Sequence, residues 1–260
     1  GKKVVVLGGG NVAFDCARIA RRLGAEQVQI ACLESREEMP ATEDEIDQAE
    51  KEGILVYPSK TSTRIIGENG KVKGVEFLEV ESFSFDENKN AQIKVRENSY
   101  HILEADNIIF AIGQRPEIPE GFGLDTTTSS LIKLDSFTLS TSREGVFAAG
   151  DAVHGTATVI EAIASGRRSA IAIDKFLGGS GDIDEKLAPP LEAEPCLGLV
   201  ESFAYMARCE ESFIPPEERL KDFGKVLRDM DEEAANYESE RCLQCDLRLK
   251  ITPVEFWSSY

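Results

Sequence analysis

The reading of this chain turns on "KKVVVLGGGNVAFDCARIA", residues 2–20. Lys3-Val4-Val5-Val6-Leu7 is a short apolar run of buried-strand type, and Gly8-Gly9-Gly10 ends it. An alanine-rich helical stretch follows to Leu23 and is capped by Gly24. Inside this strand, turn and helix lies Gly8-x-Gly10-x-x-Ala13, the spacing of a dinucleotide-binding turn. Gly8 permits the tight turn, Gly10 lets a pyrophosphate approach the backbone, and Ala13 allows close packing of helix on strand. The helix N-terminus offers free N–H groups to phosphate charge. Glycine-rich turns also arise for structural reasons alone, but this one follows a strand, opens a helix and is answered by an acid after the next strand.

That acid is Glu34, 21 residues beyond Ala13, at the end of a second strand read in "EQVQIACLE". There a carboxylate can accept both hydrogen bonds of an adenosine ribose diol; the alternative is a solvated loop acid. The polar residues 37–51 predict a helix and residues 54–57 a third strand. The order β-α-β-α-β calls for a parallel sheet. Alternation over 63–95, in "KVKGVEFLEVESFSF" and "AQIKVREN" around the turn-forming "DENKN", predicts an antiparallel meander on one face of that sheet. "ADNIIFAIGQRPE" reads as a buried strand returning to the sheet, stopped by Gly113 and Pro116, so the first domain is taken as 1–116.

Beyond it, "LIKLDSFTLSTSREGVFAAGD" predicts two short strands, and a helix is expected over 158–177, broken by "GGSG". These fall in a second region, 117–180. An acid such as Asp151, after a strand ending in Gly150, can hold a ribityl or ribose hydroxyl, and the helix near Thr158 can offer N–H groups to a flavin edge. Gly-Asp after a strand is also a common turn. Residues 181–260 read as an acidic linker and a helical tail, with Leu220, Phe223, Leu227 and Met230 at helical spacing.

A formal net charge of −18 repels a phosphate backbone, which argues against nucleic-acid binding. No apolar run is long enough to span a membrane, and Lys2-Lys3 lead straight into a strand instead of a signal peptide, so a cytoplasmic location is expected. Six scattered cysteines do not make a disulfide scaffold. Cys242-x-x-Cys245 has ligand-like spacing and reads equally as half a zinc site, two ligands of an iron–sulfur cluster, or idle thiols.

Taken together, "VVVLGGGNVAFDCARIARRLGA", "ESREEMPA", "IIFAIGQRPE", "GVFAAGDAVHGTATVIEAIASGRRSA" and "ESERCLQCDLR" resemble, in order, the flavoprotein oxidoreductases with two dinucleotide-binding domains. Within them the likeness is to the glutamate synthase small-subunit-like group. The resemblance implies an α/β fold: a whole Rossmann-like nicotinamide domain, parallel sheet plus meander, followed by the C-terminal half of an FAD domain. An N-terminal flavin half-domain would come from the same gene or a separate chain, and the exposed apolar edge over 131–177 would favour a homodimer.

The resemblance also implies site residues. Gly8, Gly10, Asn11 and Val12 would line the phosphates of the nicotinamide dinucleotide, and Asp15 would lie near the carboxamide. Gly113 joins this cofactor-binding set. Gly150 and Asp151 would meet the ribityl and pyrophosphate part of FAD, and Thr158 and Val159 the pyrimidine edge of the ring. Many relatives carry two arginines where this chain has Leu33 and Glu34, so NADH is expected in preference to NADPH, with Arg36 the cation arguing the other way. The implied reaction is hydride transfer to FAD, followed by electron transfer to iron–sulfur clusters or a partner subunit. The competing reading is a non-enzymatic nucleotide-binding sensor or scaffold.

Overall fold

The computed structural model describes residues 1–86, 91–183, 201–202 and 205–242. It divides into two compact units, Gly1–Ala20 with Gly24–Lys186, and Arg21–Leu23 with Leu187–Tyr260. The first unit begins with β1 (Lys3–Leu7), α1 (Asn11–Arg22), β2 (Gln27–Ala31), α2 (Glu43–Lys51) and β3 (Leu55–Tyr57). It continues with β4 (Lys60–Glu68), β5 (Lys71–Phe85), β6 (Ala91–Val95), β7 (His101–Glu104) and β8 (Asn107–Phe110). A parallel sheet has the order β3-β2-β1-β8, and an antiparallel sheet joins β4, β5, β6 and β7.

Period-two alternation along β1 sends its side chains into two cores. Val4 and Val6 face α1 and α2, where they meet Phe14, Ala17, Ile46 and Ala49. Val5 and Leu7 face the antiparallel sheet, where they meet Val75, Phe77 and Leu103. A strand buried on both faces must be apolar throughout, as Val4 to Leu7 are. Helix α1 packs close because Ala13, Ala17 and Ala20, spaced four and three apart, are all buried. The connection from β1 leads to β2 on one side and the chain later returns as β8 on the other, so a crevice opens above the C-terminal end of β1.

Several expectations are corrected. β2 ends at Ala31, leaving Glu34 in the turn beyond it. Residues 37–51 do not form one helix: Arg36–Glu38 make a single tight turn and α2 starts only after Pro40, which cannot continue a helix. β8 is an edge strand, so Phe110 is 60% exposed instead of buried.

The two strands expected in 131–151 reduce to isolated bridges, Thr126 to Ile132 and Ser140 to Phe147. Side chains take up the backbone there. Asp135 Oδ1 accepts the N–H groups of Phe137 and Thr138, and Thr127 Oγ1 those of Ser129 and Leu131, in competition with a ladder. After them come α3 (Asp151–His154) and α4 (Val159–Phe176).

In the second unit the long tail helix is replaced by α5 (Pro216–Arg219) and α6 (Glu232–Glu240). Between them Gly224 N–H donates to Asp222 Oδ1, Ile214 and Val226 pair in extended form, and Asp231 Oδ1 caps α6 at Ala234. The spacing of Leu220, Phe223, Leu227 and Met230 was therefore not a buried stripe, and Phe223 is 60% exposed. Among the described residues no helix is long and apolar enough to cross a membrane.

Phe77→Ala is expected to lower the unfolding free energy by about 3–5 kcal/mol, and Phe223→Ala by less than about 0.5 kcal/mol. Urea titration followed by circular dichroism distinguishes them; a comparable loss in Phe223→Ala would restore the buried tail helix.

Candidate functional site

The three glycines after β1 are glycines for different reasons. Gly8 has φ +135, and a Cβ there would lie 2.2 Å from the Ala111 carbonyl oxygen. Its N–H donates to the Ala31 carbonyl at 2.9 Å, while Ala111 N–H donates to Leu7 at 2.8 Å, so Gly8 is wedged between the chains leaving β2 and β8. A Cβ on Gly9 would stand 2.9 Å from Glu34 Oε2 and 3.1 Å from Cys32 Cβ. Gly10 differs, because a Cβ there would meet no protein atom within 4 Å. The protein's own packing requires Gly8, crowds Gly9 chiefly with the end of the Glu34 side chain, and leaves Gly10 open.

Helix α1 opens at this turn. Ala13 is buried against β1, whereas Asn11 and Val12 are exposed. The N–H groups of Asn11 and Val12 have no intrahelical partner. The Asn11 side chain is turned away from them, with Oδ1 accepting from Thr42 N–H at 3.0 Å. Asp15 is exposed on the helix and does not line the cleft.

The cleft has a volume of about 550 Å³. Its floor is the glycine turn with Leu7, Ala31 and Phe110, and Glu34 and Gly113 flank it. Gly113, at φ +88, turns the chain after β8. Glu34 is half-buried, and its carbonyl accepts from Ser59 N–H at 2.8 Å. Beside it, burial and the neighbouring Glu34 push the Cys32 thiol up to about 12, so Cys32 is neutral packing and not a thiolate.

Two cations near this cleft, Arg36 and Lys60, are engaged. Arg36 donates from Nη1 to Glu43 Oε2 at 2.9 Å and from Nη2 to Oε1 at 2.8 Å, a two-bond fork, with Asp47 and Glu50 also near. The hydrogen bonds from Arg36 hold the Glu43 carboxyl below the usual carboxylate range. Lys60, which lines the cleft, donates from Nζ to Glu79 Oε1 at 3.2 Å. The sequence reading missed Lys60, Phe83 and Phe85 as lining residues. Phe83 and Phe85 alternate at the far end of a hairpin strand, where period two alone does not tell a core face from a cleft face.

A second cavity, about 380 Å³, lies at Gly150, Asp151, His154, Glu161 and Arg168. Gly150, at φ +68, donates its N–H to the buried Ser165 Oγ at 3.1 Å and so fixes the turn against α4. Asp151 is exposed at the start of α3. Thr158 caps α4, its Oγ1 accepting from Glu161 N–H, while the Glu161 carboxylate accepts Thr158 N–H at 2.9 Å. That backbone bond holds Glu161 below the usual carboxylate range. The N–H groups of Val159 and Ile160 remain without intrahelical partners. Val159 is 76% exposed, and Ile160 and Ile163 are exposed beside it.

Cys242 is exposed, and Cys245 lies outside the described residues. Among the described residues no group of three or more His, Cys, Asp or Glu could hold a metal ion.

Residues 1–166 match the pyridine nucleotide-disulphide oxidoreductase family. The chain belongs to that family. Among its relatives, the NADP(+)-dependent formate dehydrogenase subunit beta of Moorella thermoacetica is 36% identical over 255 residues, covering 94% of this chain and 36% of the relative. The NADPH-Fe(3+) oxidoreductase subunit beta of Geobacter sulfurreducens is 32% identical over 277 residues, 94% of this chain and 41% of the relative. The glutamate synthase [NADPH] small chain of Escherichia coli is 34% identical over 189 residues, 68% of this chain and 39% of the relative, in line with the resemblance read from the motifs. The chain thus spans 36–41% of the length of these relatives.

Two solved structures share the fold. T. acidophilum thioredoxin reductase aligns with a TM-score of 0.54 at 23% identity, over 67% of this chain and 52% of that one. Mycobacterium tuberculosis FprA in complex with NADPH aligns with a TM-score of 0.55 at 15% identity, over 68% and 53%.

Gly8→Ala is expected to destabilise the protein by about 2–4 kcal/mol, through its backbone conformation and the Ala111 carbonyl, whereas Gly10→Ala changes stability by less than about 0.5 kcal/mol. Denaturant midpoints of the two variants decide it; equal losses would mean that Gly10 too is held by packing.

Proposed function

We propose that this chain is the nicotinamide-binding part of a flavin-dependent oxidoreductase, taking reducing equivalents at the cleft above β1 and passing them to a flavin held at residues 150–159. The observation that carries this reading is Gly10. It is a glycine that the protein's own packing does not demand, at the mouth of an uncapped helix, with Glu34 beside the same cleft. A Cβ there would fill the space a pyrophosphate needs. When bound, the nicotinamide ring supplies a hydride that the flavin ring accepts.

The rest is what these residues do. Gly8 and Ala13 bring β1 and α1 together, and the N–H groups of Asn11 and Val12 donate to the phosphate oxygens. Glu34 accepts the hydroxyls of the adenosine ribose. The chain passing Gly113 borders the nicotinamide end, while Asp15, exposed on α1 outside the cleft lining, takes no part in this reading. At the second cavity, Gly150 lets the backbone come close and the Asp151 carboxylate accepts a ribityl or ribose hydroxyl. Thr158 acts by fixing where α4 starts, so that Val159 and Ile160 present their N–H groups to the electron-rich edge of the ring.

The flavin fit covers one wall only. The other wall is assigned to a preceding flavin half-domain, in the same polypeptide or in another subunit, consistent with the fraction of its relatives that this chain spans. In this reading residues 1–116 carry the nicotinamide site and 117–180 the flavin wall. The electrons leave for an iron–sulfur or other acceptor on a partner subunit, in keeping with relatives named as beta subunits and small chains.

The relatives named above are linked to NADP or NADPH. For this chain we infer a preference for NADH. A 2′-phosphate would face the Glu34 carboxylate, and like charges about 4 Å apart cost roughly 4 kcal/mol per unit pair at an effective dielectric near 20, before solvent relaxation reduces it. Arg36 is forked to Glu43 and Lys60 is paired with Glu79, so recruiting either cation means breaking an existing pair. The gain from an exposed arginine is about 1 kcal/mol or less.

Dissociation constants for both cofactors, measured by titration of the nicotinamide fluorescence, test the site and its preference together. The wild type is expected to bind NADH at least tenfold tighter than NADPH. Gly10→Val should abolish both, and Leu33→Arg/Glu34→Arg should reverse the order. Undiminished NADH binding by Gly10→Val would remove the cleft from consideration; tighter NADPH binding by the wild type would remove Glu34 from the specificity argument.

The two sites use different loops, so Asp151→Ala in the flavin-loaded protein is expected to lower flavin occupancy several-fold and leave the NADH constant within about twofold. Absorbance at the flavin band and calorimetry give the two readings. Parallel losses would make Asp151 a folding residue.

A further inference from the structure

We propose that Phe83 and Phe85, at the free end of the β5–β6 hairpin, form the surface on which the adenine ring of the dinucleotide stacks. The proposal rests on the cleft assignment made above. Strand β5 has two parts. Its first part carries Val75 and Phe77 into the core beside Val5 and Leu7, paired on one side with β4 as far as Lys60 opposite Glu79. Past that point only β6 accompanies it, from Val80 opposite Val95 to Phe85 opposite Ala91. Phe83 and Phe85 belong to neither core, yet both line the cleft with the glycine turn and Glu34.

The two rings lie edge to face, with centroids 5.1 Å apart and planes at 69°. Phe85 is 64% exposed. Two phenylalanines held toward an open, water-accessible cleft give up hydrophobic stabilisation unless an apolar face covers them. The backbone shows which end of the ligand they meet. Ser59 N–H donates to the Glu34 carbonyl at 2.8 Å, and Val80 N–H donates to the Ser59 carbonyl at 2.9 Å. The projecting half of the hairpin is therefore rooted at the residue assigned to the adenosine ribose, with Phe83 about 10 Å along the strand from Val80. The nicotinamide end departs on the opposite side of β1, toward Gly113, because β2 and β8 flank β1 on different sides. A base extending from a ribose at Glu34 presents its uncharged π-face to the phenylalanines. Stacking of this kind reads the base and is indifferent to a 2′-phosphate.

The test is calorimetric titration of the full chain with NADH, with ADP-ribose, which lacks the nicotinamide, and with reduced nicotinamide mononucleotide, which lacks the adenosine. Phe85→Ala is expected to weaken NADH and ADP-ribose about tenfold, with mononucleotide binding unchanged. Phe83→Ala acts in the same direction, and Phe85→Trp keeps ADP-ribose within about threefold of the wild type. Unchanged circular dichroism in Phe85→Ala shows that the hairpin is intact. ADP-ribose binding at wild-type strength in both alanine variants overturns the proposal, as does an equal loss of the mononucleotide. A wild-type chain that binds neither NADH nor ADP-ribose overturns the cleft assignment itself, and this proposal with it.

Discussion

The close approach of Gly8 to the Ala111 carbonyl fixes the geometry of the cleft. With 2.2 Å where a Cβ would be, the turn after β1 can be tucked between the chains leaving β2 and β8 only because residue 8 has no side chain. That tuck lets α1 start at the crevice and run back over the face of the sheet, against Val4 and Val6. Packing gives way to open space two residues later, at Gly10. The glycine run thus passes from a structural constraint to an open surface within a single turn.

Keeping α1 in that direction falls to a buried charge cluster as well as to the alanines. Arg18 donates from Nε and Nη2 to Glu52 Oε1 at 3.2 and 3.1 Å, and from Nη1 to Glu45 Oε2 at 2.6 Å. Glu52 is fully buried at the end of α2, so α1 and α2 are pinned to each other behind the sheet. Such a cluster contributes little net stability after desolvation, but it tolerates few geometries. Its effect is to hold the register of α1 against the glycine turn.

On the opposite face the antiparallel sheet has two tasks along one strand. Val75 and Phe77 close the core under β1, and Phe83 and Phe85, on the same strand, line the cleft. The acidic surface acts in the same place. Glu43 holds Arg36 and Glu79 holds Lys60, and Glu34 stands beside the glycine turn. The cleft therefore has a neutral aromatic wall, an acid at Glu34, and positive character at the helix N-terminus and at Lys60, which Glu79 partly offsets.

The sequence by itself determined the parallel sheet, the glycine turn, α1, the meander and α4, because each is encoded by contacts a few residues apart: alternation, helical spacing, a cap, a glycine. The tight turn at Gly8 and the close packing of Ala13 were legible for the same reason. Only the tertiary structure decided the rest. Leu220, Phe223, Leu227 and Met230 kept helical spacing, yet Asp222, Gly224 and Asp231 drew the backbone into turns and caps that outweighed it. The strands expected in 131–151 gave way to the side-chain acceptors of Asp135 and Thr127. Which cations stay free near Glu34, and whether Phe83 and Phe85 meet the core or the cleft, depends on elements far apart in the chain. Local periodicity carries no information about partners brought together by the sheet order, and those partners set the charge and shape of the site.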